Sequence, residues 1–277
     1  MLNIKQILVQ ARQTLDGSET ARLDTEVLLG HVLSSSRAML YANSSTGVPA
    51  DKLDEFLKLL RRRQQGEPIA YLTGQREFWS LPLKVTPDVL IPRPETELLV
   101  EAALSRIPAD ATWRIADLGT GSGAIAIAIA KMRKQCEVHA TEISSAALAV
   151  ARENASSIVP GRIKFHEGSW LSPLKGPFQF IVSNPPYVET GDPHLQQGDL
   201  RFEPVLALSP GHDGLAAIRH IAEASISLLC KPGWLVLEHG FEQGKDVRDI
   251  MQGLAYIDVK TGVDLAGEER MTLGRKA

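Results

Sequence analysis

The residues best suited to chemistry are Asn184-Pro185-Pro186-Tyr187, which follow the apolar run 178–182 and open a long loop punctuated by prolines. The Asn184 side-chain oxygen and the Pro185 carbonyl can both accept hydrogen bonds. Together they can hold the two N–H donors of one planar NH2 group and aim its lone pair elsewhere. Two successive prolines fix φ and remove competing backbone donors, which keeps the stretch rigid. Tyr187 offers a flat face on which an amide or a nucleobase can stack. A bare Asn-Pro or Pro-Pro step would read as an ordinary turn; the whole tetrapeptide after an apolar strand reads as a site.

A second feature lies upstream. Residues 114–118 read as a short strand that runs into Gly119-Thr120-Gly121-Ser122-Gly123 and then into a helical pattern over 124–134. Glycines let the chain turn sharply and approach a ligand closely, and a helix N-terminus offers unpaired N–H groups. Gly119, Gly121 and Ala124 also satisfy the dinucleotide pattern G-x-G-x-x-G/A, but no further feature of redox chemistry accompanies them. The next apolar stretch, 136–141, ends at Glu142, about twenty residues beyond the glycines, where an acid can hydrogen-bond ribose hydroxyls. A third strand over 162–166 delivers Gly168-Ser169-Trp170 to the same end of the sheet, where Ser169 and Trp170 can flank an adenine ring.

The elements that must position these groups alternate strand and helix from residue 113 onward, which favours an α/β fold with a mostly parallel sheet covered on both faces. Ligands in such sheets sit at the carboxyl ends of the strands, where the strand order switches. The glycine loop, Glu142, Ser169-Trp170 and the Asn184 to Tyr187 segment fall at four successive strand ends, so they converge on one crevice. The stretch 188–211, with Pro193, Pro204 and Pro210, is longer than an ordinary connection and reads as a substrate-binding loop. Glu238 and His239, after a buried strand over 233–237, read as structural hydrogen-bonding groups rather than acid and base.

Everything before residue 76 is helical in pattern: Asn3 can cap a helix to about Leu15, and apolar residues recur at helical spacing over 20–33 and 51–65. The Arg61-Arg62-Arg63 run is expected on a solvated helix face. Extended pieces at 78–85 and 89–97, around Thr86-Pro87-Asp88, read as a hairpin linker, and Thr96 can cap the helix that follows. The expected organisation is a helical domain over 1–76, a linker over 77–95 and an α/β domain over 96–277.

A chain of 277 residues with 44% apolar residues can bury a substantial core. No apolar run approaches the roughly 18 residues of a membrane span, and Lys5 and Arg12 interrupt the N-terminal apolar pattern, so a cytoplasmic location is expected. Cys136 and Cys230 lack paired spacing and the seven histidines lack ligand spacing, so no disulfide or metal site is expected. A net charge of −3 argues against a protein whose main task is gripping polyphosphate.

Asp117-Leu118-Gly119-Thr120-Gly121-Ser122-Gly123 with Asn184-Pro185-Pro186-Tyr187 resembles a class I S-adenosylmethionine-dependent methyltransferase that modifies an amide or exocyclic amino nitrogen. Segments 68–74, 91–97 and 264–267, with Phe78-Trp79 and Phe202-Glu203-Pro204, extend the resemblance over nearly the whole chain to the PrmC (HemK) family of protein-(glutamine-N5) methyltransferases. That resemblance implies a Rossmann-like, seven-stranded sheet with a small N-terminal helical domain, and the stiff linker between them suggests that the helical domain recognises the substrate. It implies that Asp117, Gly119, Thr120, Gly121, Ser122, Gly123, Glu142, Ser169, Trp170 and Asn184 bind S-adenosyl-L-methionine, leaving S-adenosyl-L-homocysteine as product, with no metal. It implies further that Asn184, Pro185, Pro186 and Tyr187 hold the glutamine of the Gly-Gly-Gln motif of class 1 peptide-chain release factors, with Asn184, Pro185 and Tyr187 catalytic. A monomer without direct nucleic-acid binding is expected. Glu142 stands where aspartate is common in the family.

Two other readings fit parts of the pattern. An N6-adenine methyltransferase of DNA or RNA would grip the same planar NH2, but it needs a basic surface and base extrusion. A catalytically silent cofactor-binding protein would not need the intact Asn184 to Tyr187 segment.

Overall fold

The computed structural model describes residues 2–15, 17–193, 198–208 and 213–277. The chain forms two compact units, Met1–Gln75 with Gln196–Phe202, and Arg76–Leu195 with Glu203–Ala277.

The first unit is helical: α1 (Ile4–Thr14), α2 (Ala21–Val32), α3 (Arg37–Ala42), α4 (Ala50–Gln64) and α5 (Ile69–Thr73). Asn3 caps α1 as expected, in a full capping box with Gln6. Ile7, Leu8, Leu28, Leu29, Leu40, Phe56 and Leu60 form its buried core. Beside that core lies Glu26, whose side chain is inaccessible and accepts hydrogen bonds from Arg12 (2.9 Å), Arg22 (3.1 Å), Arg37 (2.7 Å) and the Tyr41 hydroxyl. Burial opposes ionisation, but the Tyr41, Arg37 and Arg22 hydrogen bonds outweigh it and hold the carboxyl at about 2. A depressed carboxyl pKa stabilises the fold above the unfolded value and loses that contribution as pH falls through the folded one. The surrounding guanidiniums are one-third to two-thirds exposed, which screens the pairing. Glu26→Gln is therefore expected to cost about 1–3 kcal/mol at neutral pH. The gap to wild type in denaturant unfolding should close between pH 4.5 and about pH 2; a pH-independent gap would mean that packing, not charge, is what Glu26 contributes.

The arginine run departs from expectation. Arg61 and Arg62 are exposed, but Arg63 is largely buried. Its guanidinium pairs with Asp24 at 2.8 Å and Asp199 at 3.2 Å within this unit.

The boundary between the units falls at the start of a hairpin, β1 (Gln75–Phe78) and β2 (Leu81–Lys84), which belongs to the second unit from Arg76 onward. Its turn is Trp79-Ser80, not Thr86-Pro87-Asp88, and both turn residues have positive φ, 52° and 55°, as tight two-residue hairpins require. The Trp79 amide donates to Glu97 Oε1 at 2.7 Å, which anchors this turn to α6 (Glu97–Leu104). Residues 89–91 form no strand. After α6 come β3 (Arg114–Leu118), α7 (Ala124–Met132), β4 (Glu137–Glu142), α8 (Ser145–Ile158), β5 (Ile163–Glu167), β6 (Phe178–Ser183), α9 (Val205–Leu208), α10 (Ala216–Leu228), β7 (Leu229–Glu238), α11 (Gly244–Gly253), β8 (Tyr256–Val263) and β9 (Glu269–Lys276).

The seven strands β3 to β9 form one sheet in the order β5-β4-β3-β6-β7-β9-β8. All pairings are parallel up to β7, and β9 is antiparallel to both neighbours. One face buries Ile115, Val138, Phe180 and Val236 against α6 and α7; the other buries Ala116, Ile181, Leu235 and Leu237 against α10 and α11. With both faces covered, the central strands are apolar throughout, which makes them legible as buried parallel strands. The order reverses between β3 and β6, so the strand ends that carry the glycine loop and Asn184 are neighbours. The fold is the Rossmann-like α/β arrangement expected, with a helical N-terminal region.

Candidate active site

The glycine loop leaves β3 at positive φ: Gly119 at 67°, Gly121 at 55° and Gly123 at 86°. Asp117, buried at the end of β3, holds this loop from beneath through Oδ2, which accepts from the Thr120 hydroxyl at 2.6 Å and from the Ala126 amide at 3.1 Å. Burial pushes its carboxyl up to about 7 in spite of those bonds, and Oδ1 has no partner. Asn154 fastens the same loop by donating to the Ser122 carbonyl at 2.9 Å.

Glu142 ends β4. Its Oε2 accepts from the Gly121 amide at 3.0 Å, while Oε1 accepts from the amides of Ile143 (2.9 Å) and Ser144 (3.0 Å). One carboxylate thus ties two strand-end loops together and retains an acceptor site, since two carboxylate oxygens offer about four. Beyond β5, Trp170 adopts a positive φ of 47°, a sparsely populated conformation that non-glycine residues keep where the surroundings demand it. Its ring lies over Gly119: a Cβ there would meet Trp170 Cζ3 at 2.9 Å.

At the end of β6, the Ser183 hydroxyl donates to the Leu118 carbonyl at 2.7 Å, which locks the two central strand ends in register. Asn184 follows, and its Nδ2 donates to Thr96 Oγ1 at 3.1 Å, leaving Oδ1 as the free acceptor. The Tyr187 hydroxyl donates to Glu238 Oε1 at 3.2 Å, and its carbonyl accepts from Gln243 Nε2 at 3.1 Å. Burial, then the Glu238 charge, raises the Tyr187 phenol well above its usual value, so it remains a neutral donor.

These strand ends surround a cavity of about 480 Å³ within the second unit. Gly119, Gly121, Glu142, Ser169, Trp170, Asn184 and Pro186 form part of its wall. Asp117, Thr120, Ser122, Gly123, Pro185 and Tyr187 lie outside that wall; the first four shape the loop behind it. Sequence reasoning gave no site role to other lining residues, among them Asp88, Val89, Leu90, Ile143 and His220, while Leu206 and Ala207 fall in the stretch 188–211 that it read as a substrate-binding loop. Glu203 joins two of these pieces, because its buried carboxylate pairs with Arg93 and accepts from the Ile91 amide at 3.3 Å, fixing the 89–91 segment beside Pro204. The described part of the 188–211 loop supplies Pro204, Leu206 and Ala207; residues 194–197 and 209–211 lie outside the described residues. Among the described residues, no cluster of His, Cys, Asp or Glu could hold a metal ion, and no helix is long and apolar enough to cross a membrane.

Residues 6–74 match the PrmC N-terminal domain and residues 95–199 the methyltransferase small domain. The chain is 48% identical to the release factor glutamine methyltransferase of Escherichia coli over 97% of both chains. It is 46% identical to that of Coxiella burnetii over the full length of both. The chain belongs to the release factor glutamine methyltransferases. The fold is shared more widely: a methyltransferase from Pyrococcus furiosus superposes with a TM-score of 0.55 at 17% identity, covering 78% of this chain and 97% of that one. A 16S rRNA N2 methyltransferase of T. thermophilus, solved with AdoMet and guanosine, superposes with the same score at 16% identity, over 73% of this chain and 50% of that one. The Asn184 amide presents an acceptor, the chemical complement of an N–H donor.

Proposed function

We propose that this chain methylates the side-chain amide nitrogen, N5, of the glutamine in the Gly-Gly-Gln motif of class 1 peptide-chain release factors, using S-adenosyl-L-methionine. The observation that carries this reading is the Asn184 amide, fixed by Thr96 with its oxygen free at the wall of a cavity built from four strand ends. The cavity fits the cofactor: its volume lies in the roughly 300–1,000 Å³ range of ligand sites. One wall is a glycine loop that admits close backbone approach, Glu142 can accept from ribose hydroxyls, and Trp170 and Ile143 offer apolar faces to a purine.

When bound, S-adenosylmethionine supplies an electrophilic methyl group on its sulfonium. An amide nitrogen is a poor nucleophile because its lone pair is delocalised into the carbonyl, so the protein's task is orientation. Asn184 Oδ1, at the cavity wall, would accept one N–H bond, and the Pro185 carbonyl, set behind that wall, is the proposed acceptor of the other, so that the lone pair is aimed at the methyl; as the N–C bond forms, the methyl–sulfur bond would break to leave S-adenosylhomocysteine and the nitrogen would lose one proton to solvent. Those hydrogen bonds strengthen as positive charge develops on nitrogen, which favours the transition state over the ground state. Tyr187, half-buried and held by Glu238, keeps the Pro185-Pro186 backbone in place, and the apolar walls exclude water. In this reading Gly119, Gly121, Glu142, Ser169 and Trp170 touch the cofactor, while Asp117, Thr120, Ser122 and Gly123 set the loop's shape. The helical unit recognises the release factor, and the enzyme acts in the cytoplasm as a monomer without metal or direct nucleic-acid contact. Mass spectrometry of release factor incubated with the enzyme and cofactor is the test: one added methyl on the Gly-Gly-Gln peptide supports the reading, and a methyl on any other residue alone rejects it.

A further inference from the structure

The loop between β8 and β9 takes no part in the reaction described above, yet its backbone is fixed residue by residue. Asp264 Oδ1 accepts from the amides of Ala266 (2.9 Å) and Glu268 (3.0 Å), and Oδ2 accepts from Arg270 Nε at 2.9 Å. The Asp264 amide donates to the Glu268 carbonyl at 2.9 Å, and the Gly267 amide donates to the Asp264 carbonyl at 3.0 Å. These bonds hold Leu265 at the tip, where it is fully exposed, at 110%.

An exposed leucine alone is ordinary on a protein surface. This one stands beside further apolar groups on a common frame. Arg270, which holds Asp264, also places its guanidinium over the Phe241 ring, 5.7 Å from the centroid. Phe241 is 51% exposed, and Val263, the last residue of β8, is 52% exposed. Phe241 belongs to the turn after β7, where Gln243 accepts from the Gly240 amide at 2.9 Å and donates to the Tyr187 carbonyl at 3.1 Å. A braced path therefore runs from the Leu265 loop through Arg270 and the Phe241 turn to the last residue of the Asn184 to Tyr187 segment. The topology agrees with it. Strand β9 is antiparallel to β7, with Glu238 facing Met271, and β7 is parallel to β6, so the loop that precedes β9 projects from the same edge of the sheet as Asn184. Phe241, Val263 and Leu265 lie outside the cavity wall, so a cofactor in the cavity does not cover them.

We propose that Phe241, Val263 and Leu265 form a docking surface for the folded part of the protein substrate that flanks the methylated glutamine, and that they meet apolar side chains there. The inference rests on the reading of release factor as the substrate. A glutamine that reaches Asn184 brings the rest of its protein to the same edge of the sheet, and the surface tied to Tyr187 faces it. Apolar side chains on a rigid frame suit this task. Burying them is favourable in itself, and a loop already fixed by Asp264 and Arg270 has little freedom left to lose on docking. The surface stands apart from the reacting atoms, so it holds the protein substrate and leaves the methyl-transfer step alone.

The test compares Leu265→Ser, Phe241→Ser and the double variant with Met132→Ser, each as the full chain. Met132 is 47% exposed at the far end of α7, the helix that leads away from the glycine loop, so it controls for loss of an exposed apolar side chain elsewhere. Release-factor affinity is measured by calorimetry with S-adenosylhomocysteine present, and methyl transfer to release factor by steady-state kinetics. Leu265→Ser is expected to raise both Kd and KM for release factor about tenfold, which corresponds to about 1.4 kcal/mol, and the double variant should bind more weakly still. The kcat at saturating release factor and the affinity for S-adenosylmethionine should keep their wild-type values, and Met132→Ser should match wild type throughout. Wild-type Kd and KM in the double variant overturn the proposal, as does a loss confined to kcat or cofactor affinity, or an equal loss in Met132→Ser. Sedimentation of each protein tests a second copy as the occupant: a wild-type dimer that Leu265→Ser dissociates, with release-factor binding unchanged, also overturns it. If the wild-type enzyme binds release factor but transfers no methyl to it, the functional reading fails, and the Kd values still decide whether this surface holds the protein.

Discussion

Asn184→Ala is expected to lower kcat by about 10²–10³-fold, the range for removing one preorganised hydrogen-bonding group from a site of developing charge. Cofactor affinity should change little. The expectation follows from what Asn184 does in the structure. Its Nδ2 is committed to Thr96 and its Oδ1 is free, so in the proposed reaction it serves as an acceptor whose bond tightens as the substrate nitrogen becomes positive. Truncation removes that acceptor and leaves Thr96 Oγ1 with one donor fewer, but it takes away nothing that shapes the glycine loop or the Glu142 corner. Stopped-flow single-turnover assays would separate the chemical step from binding. A raised cofactor dissociation constant with normal single-turnover rate would assign Asn184 to cofactor binding and remove its catalytic role.

The second large effect is expected at Gly119. A side chain there must adopt φ near 67° and would place Cβ 2.9 Å from the Trp170 ring. The left-handed backbone costs about 1–2 kcal/mol for an ordinary residue. Trp170 itself sits at positive φ and cannot give way freely. Gly119→Ala is therefore expected to weaken S-adenosylmethionine binding by tenfold or more, each factor of ten corresponding to about 1.4 kcal/mol. Gly161→Ala is the matched control: Gly161 has φ 71° with nothing within 4 Å of its Cβ position, so it carries the backbone strain without the clash. It should lower stability and leave cofactor affinity unchanged. Equal cofactor affinity in wild type and Gly119→Ala would show that the glycine loop is not the cradle.

Much of this architecture was legible in the sequence because the determining features are local. The apolar runs of β3 and β6 mark strands buried on both faces, and Asn3 with Gln6 spells a capping box three residues apart. The convergence of glycine loop, Glu142, Trp170 and Asn184 followed from placing each at a strand end. What escaped depended on partners distant in sequence. The Trp79-Ser80 turn lacks the Asn-Gly or Asp-Gly signal of its type; it is supported instead by Glu97, eighteen positions away. Arg63 looked like one more solvated cation in a run of three, yet its neighbour Asp24 lies 39 residues back. Thr96 read as a helix cap, but it makes no such bond and turns its hydroxyl to Asn184, 88 residues on. Val89, Leu90 and His220 carry no signal of a site, and Leu206 only that of a long loop; the fold brings them to one cavity.

The most direct test of the account is transfer of labelled methyl from S-adenosylmethionine to three acceptors: release factor, the same factor with its Gly-Gly-Gln glutamine changed to alanine, and adenine-containing DNA and RNA. Label is expected on the intact release factor alone. Label on nucleic acid with none on release factor would contradict it, and would mean that Asn184 grips the amino group of a base.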